Sequence, residues 1–371
     1  MTNNSHPPVR AIRPIRTATA GATALLLPLA GCANGGDAAD AFPSRPIELT
    51  VGWSAGGSSD LTTRGLAKEM EEDLGVAVQI TNVEGATGGV GASQVSNKDA
   101  DGYSVFGGAS VAGMWQVMEQ SDASWESFYA LLAGPSPTTI YVPADSEYET
   151  VEDLVEAMED DSSMRYGTPG PGSNGHIFGE LLTEETGTEA EHVPYDGGSE
   201  AGQYLVSGEV DFVSVTLGDI LNLVESDDAR PLVNLYEEPV EVAGTEIPPI
   251  TDSYPELAEQ TAINPWFGVY VPRDTPPEVV ERLSESVQYA TEQDRFVEMY
   301  EGELGGVVDF TAGQDSDDVM ARVESSRAWA LDGLGMTERD PAELDIPTIE
   351  EYEWPPHQRA EEAAEWPEGL Q

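Results

Sequence analysis

One local unit recurs along this chain: an apolar run that stops at a glycine- and serine-rich turn, followed at once by a helical pattern. In its first copy the run at 47–51 ends in Gly52-Trp53-Ser54-Ala55-Gly56-Gly57-Ser58-Ser59-Asp60. Leu66, Met70 and Leu74 then recur every four residues. The run reads as a buried strand and the spacing as a helix, and Ser58, Ser59 and Asp60 are all competent N-caps. A helix start of this kind presents unpaired N–H groups and the positive end of a dipole, a ready site for an anion. Taken singly, an ordinary strand-to-helix turn that needs glycine and a cap explains the stretch as well. Three more such loops downstream give it a functional meaning.

The second follows a strand at 76–81 and reads Asn82-Val83-Glu84-Gly85-Ala86-Thr87-Gly88-Gly89-Val90-Gly91, with a helix of about ten residues behind it and a third strand at 104–107. Strand, loop, helix, repeated, is the order of a parallel sheet with helices on its faces, and ligands of such sheets sit at the carboxyl ends of the strands. Residues 131–143, apolar with prolines, read as one strand near a domain crossing. A helix at 150–159 follows, capped by Thr150. A new unit then runs from 164–167 into Thr168-Pro169-Gly170-Pro171-Gly172-Ser173-Asn174-Gly175-His176 and a helix at 177–186. The fourth loop, Tyr195-Asp196-Gly197-Gly198-Ser199, opens a helix at 200–207; a strand at 210–215 and a turn at Gly218-Asp219 complete the block. Residues 144–262 thus repeat the architecture of 42–140. A strand at 266–271 returns the chain to the first domain. Thr275-Pro276-Pro277-Glu278 starts a helix with Thr275 as its cap, and 316–331 is the last long helix, with Ser316 as its cap. Residues 333–371 are acidic, rich in proline and tryptophan, and aperiodic: a tail or a strap.

A length of 371 residues suggests two domains, and 39% hydrophobic residues suffice for real cores. Sixteen Lys and Arg stand against 69 Asp and Glu, a net charge of −53 dispersed along the chain. Such a balance excludes nucleic acid and anionic membrane surfaces as partners and fits a protein kept soluble in high salt, so a halophilic source is expected. An anion site here must work against the field of its own chain, so backbone dipoles must do the attracting. Residues 1–31 read as a targeting segment: Arg10, Arg13 and Arg16 precede an apolar stretch at 18–30, shorter than the ~20 residues a bilayer span needs. The segment ends Leu29-Ala30-Gly31-Cys32, which resembles a lipobox, and Cys32 is the only cysteine. Lipidation at Cys32 is expected to tether the chain to the outer face of the cell membrane, with residues 32–41 as a flexible linker. A plain secretory signal with an incidental cysteine is the alternative. One cysteine and four scattered histidines give no metal-ligand spacing, and neither a metal nor a cofactor is expected.

Several motifs fall in order. They are Phe42-Pro43-Ser44-Arg45-Pro46-Ile47, the Gly56-Gly57-Ser58-Ser59-Asp60 turn, Asn82-x-x-Gly85-Ala86-x-Gly88-Gly89-x-Gly91-Ala92, Asp101-Gly102-Tyr103, Gly170-x-Gly172-Ser173-x-x-His176, Val193-Pro194-Tyr195-x-Gly197-Gly198, Gly208-Glu209-Val210-Asp211, and Trp266-Phe267-Gly268-Val269-Tyr270-Val271-Pro272 followed by Thr275-Pro276. Over about residues 42–330 the chain resembles the tripartite tricarboxylate transporter substrate-binding proteins, also called the Bug family. The departures are the acidic composition and the extension after about 335. The resemblance implies an α/β, two-lobed periplasmic-binding-protein fold of type II kind. Each lobe would be a mostly parallel sheet flanked by helices, with a ligand cleft between them. Lobe 1 would comprise 42–142 and 264–332, lobe 2 143–263, and 333–371 an added extension. It further implies capture of a small carboxylate anion, a tricarboxylate, dicarboxylate or similar acid, by a monomer that delivers it to integral-membrane permease subunits. Presentation of the ligand to a membrane sensor kinase is the alternative. Carried onto matching positions, contacts come from Ser54, Gly56, Gly57, Ser58, Ser59 and Asp60; from Thr87, Gly88 and Gly89; from Thr168, Gly170, Gly172, Ser173 and His176; and from Tyr195, Asp196, Gly197 and Gly198. These loops offer N–H and hydroxyl donors with almost no formal positive charge, so charge-assisted hydrogen bonds would hold the carboxylate. Asp60 either caps its helix or accepts from a ligand amine or hydroxyl.

Two enzyme readings compete and are set aside. Gly170-x-Gly172-x-x-Gly175 fits a dinucleotide fingerprint, but Pro169 and Pro171 interrupt its turn. Gly52-Trp53-Ser54-Ala55-Gly56 fits a nucleophile elbow, but Gly56-Gly57 separate Ser54 from the helix. His176 could serve such a serine as base, or pack at its helix start. Trp53 and Trp266 are either cleft walls or core. No catalysis is expected.

Overall fold

Aliphatic and β-branched residues supply strands buried on both faces, as helix-covered sheets require. Residues 128–134, for instance, are buried without interruption. The computed structural model describes residues 42–110, 114–236, 238–242, 244–352, 366–367 and 370; the expected signal, linker and Cys32 lie outside the described residues. In chain order the first elements are β1 (Ile47–Val51), α1 (Ser58–Leu74), β2 (Val78–Asn82), α2 (Gly89–Ser96), β3 (Ser104–Ala109), the single turn α3 (Met114–Val117) and β4 (Phe128–Pro135). Next come β5 (Thr138–Pro143), α4 (Val151–Asp160), β6 (Arg165–Thr168), α5 (Asn174–Thr186), β7 (Glu191–Pro194), α6 (Gly198–Ser207), β8 (Phe212–Thr216), α7 (Leu221–Glu225) and β9 (Ala229–Asn234). The hairpin β10 (Val240–Val242) and β11 (Thr245–Ile247) leads to β12 (Trp266–Pro272), α8 (Pro277–Thr291), α9 (Asp294–Val297) and α10 (Gln314–Gly333).

The strands form two five-stranded sheets of matching order, β2-β1-β3-β12-β4 and β7-β6-β8-β5-β9. In each, the first three strands run parallel and the last two pairings are antiparallel. The sheets are therefore mixed: four strands of each run one way, and one, β12 or β5, runs against them. The reason is topological: β12 and β5 enter from the other lobe, against the direction of the βα units. The apolar run at 131–143 is accordingly two strands in two sheets. Pro135 and Pro137 have no N–H to extend a ladder, and the chain crosses between them. The two crossings lie side by side, with Ser136 N donating to Pro265 O (3.0 Å) and Thr138 N to Asn264 Oδ1 (2.8 Å).

The start of α4 follows the expected chemistry, with Thr150 and Asp153 in a capping box; α5 starts at Asn174 with Ser173 as its N-cap, three residues before the expected start at 177. Two differ. α8 begins at Pro277 with Pro276, not Thr275, as cap. α10 begins after Gly313, whose φ of 75° suits glycine; Ser316 sits inside its first turn and donates to Gly313 O (2.9 Å). The extension is a strap where it is described. Trp366 is buried, packs edge-on against Tyr129 (4.8 Å) and donates Nε1–H to Asp317 Oδ2 (2.8 Å), beside the buried Arg273–Asp317 ion pair.

Candidate functional site

The first loop is held from behind by Asp60. Its Oδ2 accepts from Gly56 N (2.9 Å) and Arg64 Nε (2.8 Å), and its Oδ1 from Asn82 Nδ2 (3.0 Å). Burial alone would raise its pKa, but the bonds from Arg64, Gly56 and Asn82 together outweigh that and hold it below the usual carboxylate value. Gly57 is the N-cap of α1. The second loop turns through consecutive positive φ angles at Gly85, Ala86, Thr87 and Gly88. For Ala86 and Thr87 this conformation is strained. It persists because Trp115 Nε1 donates to Thr87 O (3.1 Å) and Thr87 Oγ1 donates across the cleft to Pro171 O (3.0 Å).

In the second lobe, Ser173 Oγ accepts from His176 N (3.2 Å), and His176 Nδ1 accepts from Gly172 N (3.0 Å). His176 stacks on His192 at 3.6 Å, and His192 Nε2 bonds Thr168 Oγ1 (2.7 Å). Burial, with His192 adding to it, pushes the pKa of His176 down to about 3; burial takes His192 down to about 4. Both are neutral scaffold under the loop. In the fourth loop Gly197 approaches the first lobe so closely that a Cβ there would lie 2.0 Å from Ser54 Oγ.

The loops close over a small cavity of about 30 Å³. Of the residues singled out in the sequence, Ser54, Gly57, Ser59, Thr87, Ser173, Gly197 and Gly198 line it. Thr87, Gly88, Gly170, Tyr195 and Asp196 line a wider outer hollow of about 300 Å³ that shares Thr87 and Pro169 with it. Gly56, Ser58, Asp60, Gly89, Thr168, Gly172 and His176 line neither. Trp53 is both cavity wall and core, packing on Phe106 at 6.0 Å.

Two wall residues escaped the sequence reading, and they are the only charged ones among the described lining. Asp219, in the turn after β8, accepts from Thr216 N (3.0 Å) and, across the cleft, from Ser58 N at the start of α1 (2.6 Å). Its burial raises its pKa to about 6 despite those bonds. Arg327, from the middle of α10, is 2% exposed. It donates Nε–H and Nη2–H to Ile263 O (3.0 and 2.9 Å) and Nη1–H to Ser110 O (2.7 Å). Burial lowers its pKa to about 10, which leaves it charged at neutral pH. The expectation of a site without formal positive charge is thus corrected. The available signal was its place on the buried stripe Met320, Val323, Arg327, Leu331.

Among the described residues no histidine hydrogen-bonds Ser54 Oγ; His176 Nδ1 and His192 Nε2 bond Gly172 and Thr168. Among the described residues no group of three or more His, Cys, Asp or Glu could hold a metal, and no helix is long and apolar enough to cross a membrane.

Matching mixed sheets, paired crossings and facing loops define a two-lobed protein of the periplasmic-binding type. The model of the tripartite tricarboxylate transporter family receptor (TctC) matches residues 62–331, and the chain belongs to that family. A UPF0065 protein from the tcbD-tcbE intergenic region of Pseudomonas sp. (strain P51) is 31% identical over 264 residues, 68% of this chain and 75% of that one. Among solved structures, the periplasmic binding protein BugD superposes with a TM-score of 0.73 at 24% identity, covering 80% of this chain and 100% of that one. Two proteins of Rhodopseudomonas palustris share the fold. Rpa4515 with adipate has a TM-score of 0.69 at 24% identity, covering 80% and 99% of the two chains. MatC with bound malate has a TM-score of 0.70 at 21% identity, covering 79% and 99%.

Proposed function

We propose that this chain is an extracytoplasmic solute-binding protein that captures a small organic acid between its lobes and delivers it to a tripartite tricarboxylate-type permease. The observation that carries the reading is Arg327: a buried cation on the cavity wall, bonded to carbonyl oxygens and paired with no carboxylate among the described residues. A buried charge without a counter-ion is costly, and an incoming carboxylate supplies one. Ser54, Ser59, Thr87 and Ser173 line the same cavity and offer hydroxyls, with the amides of Gly57, Gly197 and Gly198 beside them. Family membership and the malate and adipate named for two structural neighbours support the same ligand class. Cys32 is the proposed lipid anchor, and the net charge of −53 fits a monomer working in high salt.

A thermal-shift screen of mono-, di- and tricarboxylates in high salt tests the capture step, because a ligand bound only by the folded state raises apparent stability. At least one acid is expected to raise the melting temperature and to be recovered unchanged after prolonged incubation. Turnover of the acid, or no stabilisation by any, would reject the reading. Deletion of the chain in its host is expected to abolish uptake of that acid.

A further inference from the structure

The sequence points to the start of α1 as the seat of a ligand carboxylate; the structure places a carboxylate there from within the chain. α1 runs for 17 residues behind Gly57, which has no side chain to cap it. Its first amides lack intrahelical partners and carry the positive end of the dipole. Ser58 N donates instead to Asp219 Oδ1 at 2.6 Å, across the cleft. The other oxygen, Oδ2, accepts from Thr216 N (3.0 Å) and ties the carboxylate to its own lobe. The capping box of the turn after β8 needs only that second bond; the bond to Ser58 serves nothing local. Gly57 and Gly198 make the room for it: a Cβ would lie 3.0 Å from Oδ1 at Gly57 and 2.1 Å from Oδ2 at Gly198. Asp219 is buried and, with a pKa of about 6, charged at neutral pH. Its two described bonds go to main-chain amides, and among the described residues it forms no ion pair with Arg327.

We propose that Asp219 is an internal latch: its carboxylate caps α1 from the opposite lobe and holds the cleft closed without help from a ligand. A charge-assisted hydrogen bond is roughly twice as strong as a neutral one, and a buried one is screened little by salt. Two neutral bonds accompany it across the cleft: Thr87 Oγ1 (3.0 Å) and Gln120 Nε2 (3.1 Å) both donate to Pro171 O. Opening the lobes hands Ser58 N and Asp219 to water, which solvates both, so the net strength of the latch is modest. Its loss is expected to shift the closed-to-open ratio by about ten-fold or more, the scale of a hydrogen bond to a charged group. A latch of that size still lets the lobes part for entry, and it supplies in advance part of the closing energy that a ligand would otherwise provide. The inference concerns the protein before capture and does not depend on which molecule is captured.

Small-angle scattering from the purified protein in high salt, with no acid added, reads the closure directly. Asp219→Ala removes the acceptor and adds no bulk, and its radius of gyration is expected to exceed that of the unmodified chain. Ser58→Pro removes the donor at the first helical position, where proline is well tolerated, and is expected to open the lobes as well. Ser58→Ala keeps the amide and is expected to leave the scattering curve unchanged. The double variant Ser58→Pro, Asp219→Ala is expected to show no rise beyond that of Asp219→Ala, because both changes remove the same bond. Urea unfolding of each variant confirms that the lobes are folded; if Asp219→Ala does not fold, the contrast between Ser58→Pro and Ser58→Ala decides. An Asp219→Ala radius equal to that of the unmodified chain overturns the latch. So does a further rise in the double variant, or a Ser58→Ala that opens as far as Ser58→Pro. The carboxylate screen, read separately, decides the proposed function and is untouched by any of these results.

Discussion

Gly197→Ala isolates lobe closure from folding. Gly197 has a φ of 178°, extended backbone that alanine adopts freely, so the substitution carries no conformational strain of its own. Its added methyl would lie 2.0 Å from Ser54 Oγ and 3.1 Å from Ser54 Cβ. The Ser54 hydroxyl can swing aside, but Ser54 Cβ at 3.1 Å lies inside the ordinary contact of about 3.5 Å, so the loops must still give by a few tenths of an ångström at that point. The two residues belong to different lobes, so the clash is relieved by opening the cleft and not by repacking a core. Overpacking of this size costs about 1–3 kcal/mol. Because affinity is reduced by the fraction of closed state lost, the best acid of the carboxylate screen should bind about 5- to 150-fold more weakly. The midpoint of urea unfolding of the empty protein should stay close to that of the unmodified chain. Small-angle scattering should show a larger radius of gyration, and Ser54→Gly added to the variant should restore it. Unchanged affinity together with an unchanged scattering curve would refute the closure argument.

Two further outcomes follow from buried groups. The pKa of His176, about 3, and that of His192, about 4, lie below the ordinary histidine value of 6.5, so the unfolded chain binds more protons between those values and stability falls as pH drops. From pH 6.5 to 4 each histidine withdraws roughly 3 kcal/mol, while Asp219, raised to about 6, returns roughly 2. The double variant His176→Asn and His192→Gln should therefore gain stability relative to the unmodified chain as pH falls through this window. Urea midpoints that run parallel from pH 6.5 to 4 would contradict it. Trp366→Ala removes a buried indole from Tyr129 and a donor from Asp317 and should cost about 3 kcal/mol in urea unfolding. It should leave acid affinity unaltered, because Trp366 lies off the cavity wall.

Much of this architecture is legible without coordinates because its signals are local. The alternation of apolar run, glycine turn and helical stripe fixes the βα units, and Thr150 announces a helix start through a bond three residues long. The mixed character of the sheets is not local. It depends on which sheet β5 and β12 enter, and no period in their own sequences encodes that. The charged pair of the cavity is hidden for the same reason. Ser58 and Asp219 meet across 161 positions, so Asp219 reads as nothing more than the acid of a short capping box, which it also is. Arg327 stands between Ser326 and Ala328 on a helix with many acids, where an arginine reads as one more solvated charge. Only its coincidence with the Met320–Leu331 stripe marks it as buried. His176 illustrates the converse. Its motif suggested a ligand contact, yet its ring nitrogen supports the Gly172 amide from beneath the loop.

Under the proposed carboxylate reading, the position of that one arginine also reconciles an anion site with a chain of net charge −53. Exposed charges are screened over about 10 Å at 0.1 M salt and about 3 Å at 1 M, so the repulsion an approaching acid meets fades as salt rises. A surface lysine or arginine clamp would fade with it. Arg327 at 2% exposure, and the Gly197 and Gly198 amides of the closed cleft, lie where salt does not reach, so their attraction persists. Burial would ordinarily make a lone cation too costly to keep, and three carbonyl hydrogen bonds on a rigid helix lower that cost without neutralising it. The same carbonyls explain why no resident carboxylate is needed there. The attraction is thus stored inside the fold rather than on it, and it can act only on a ligand small enough to enter and be closed upon.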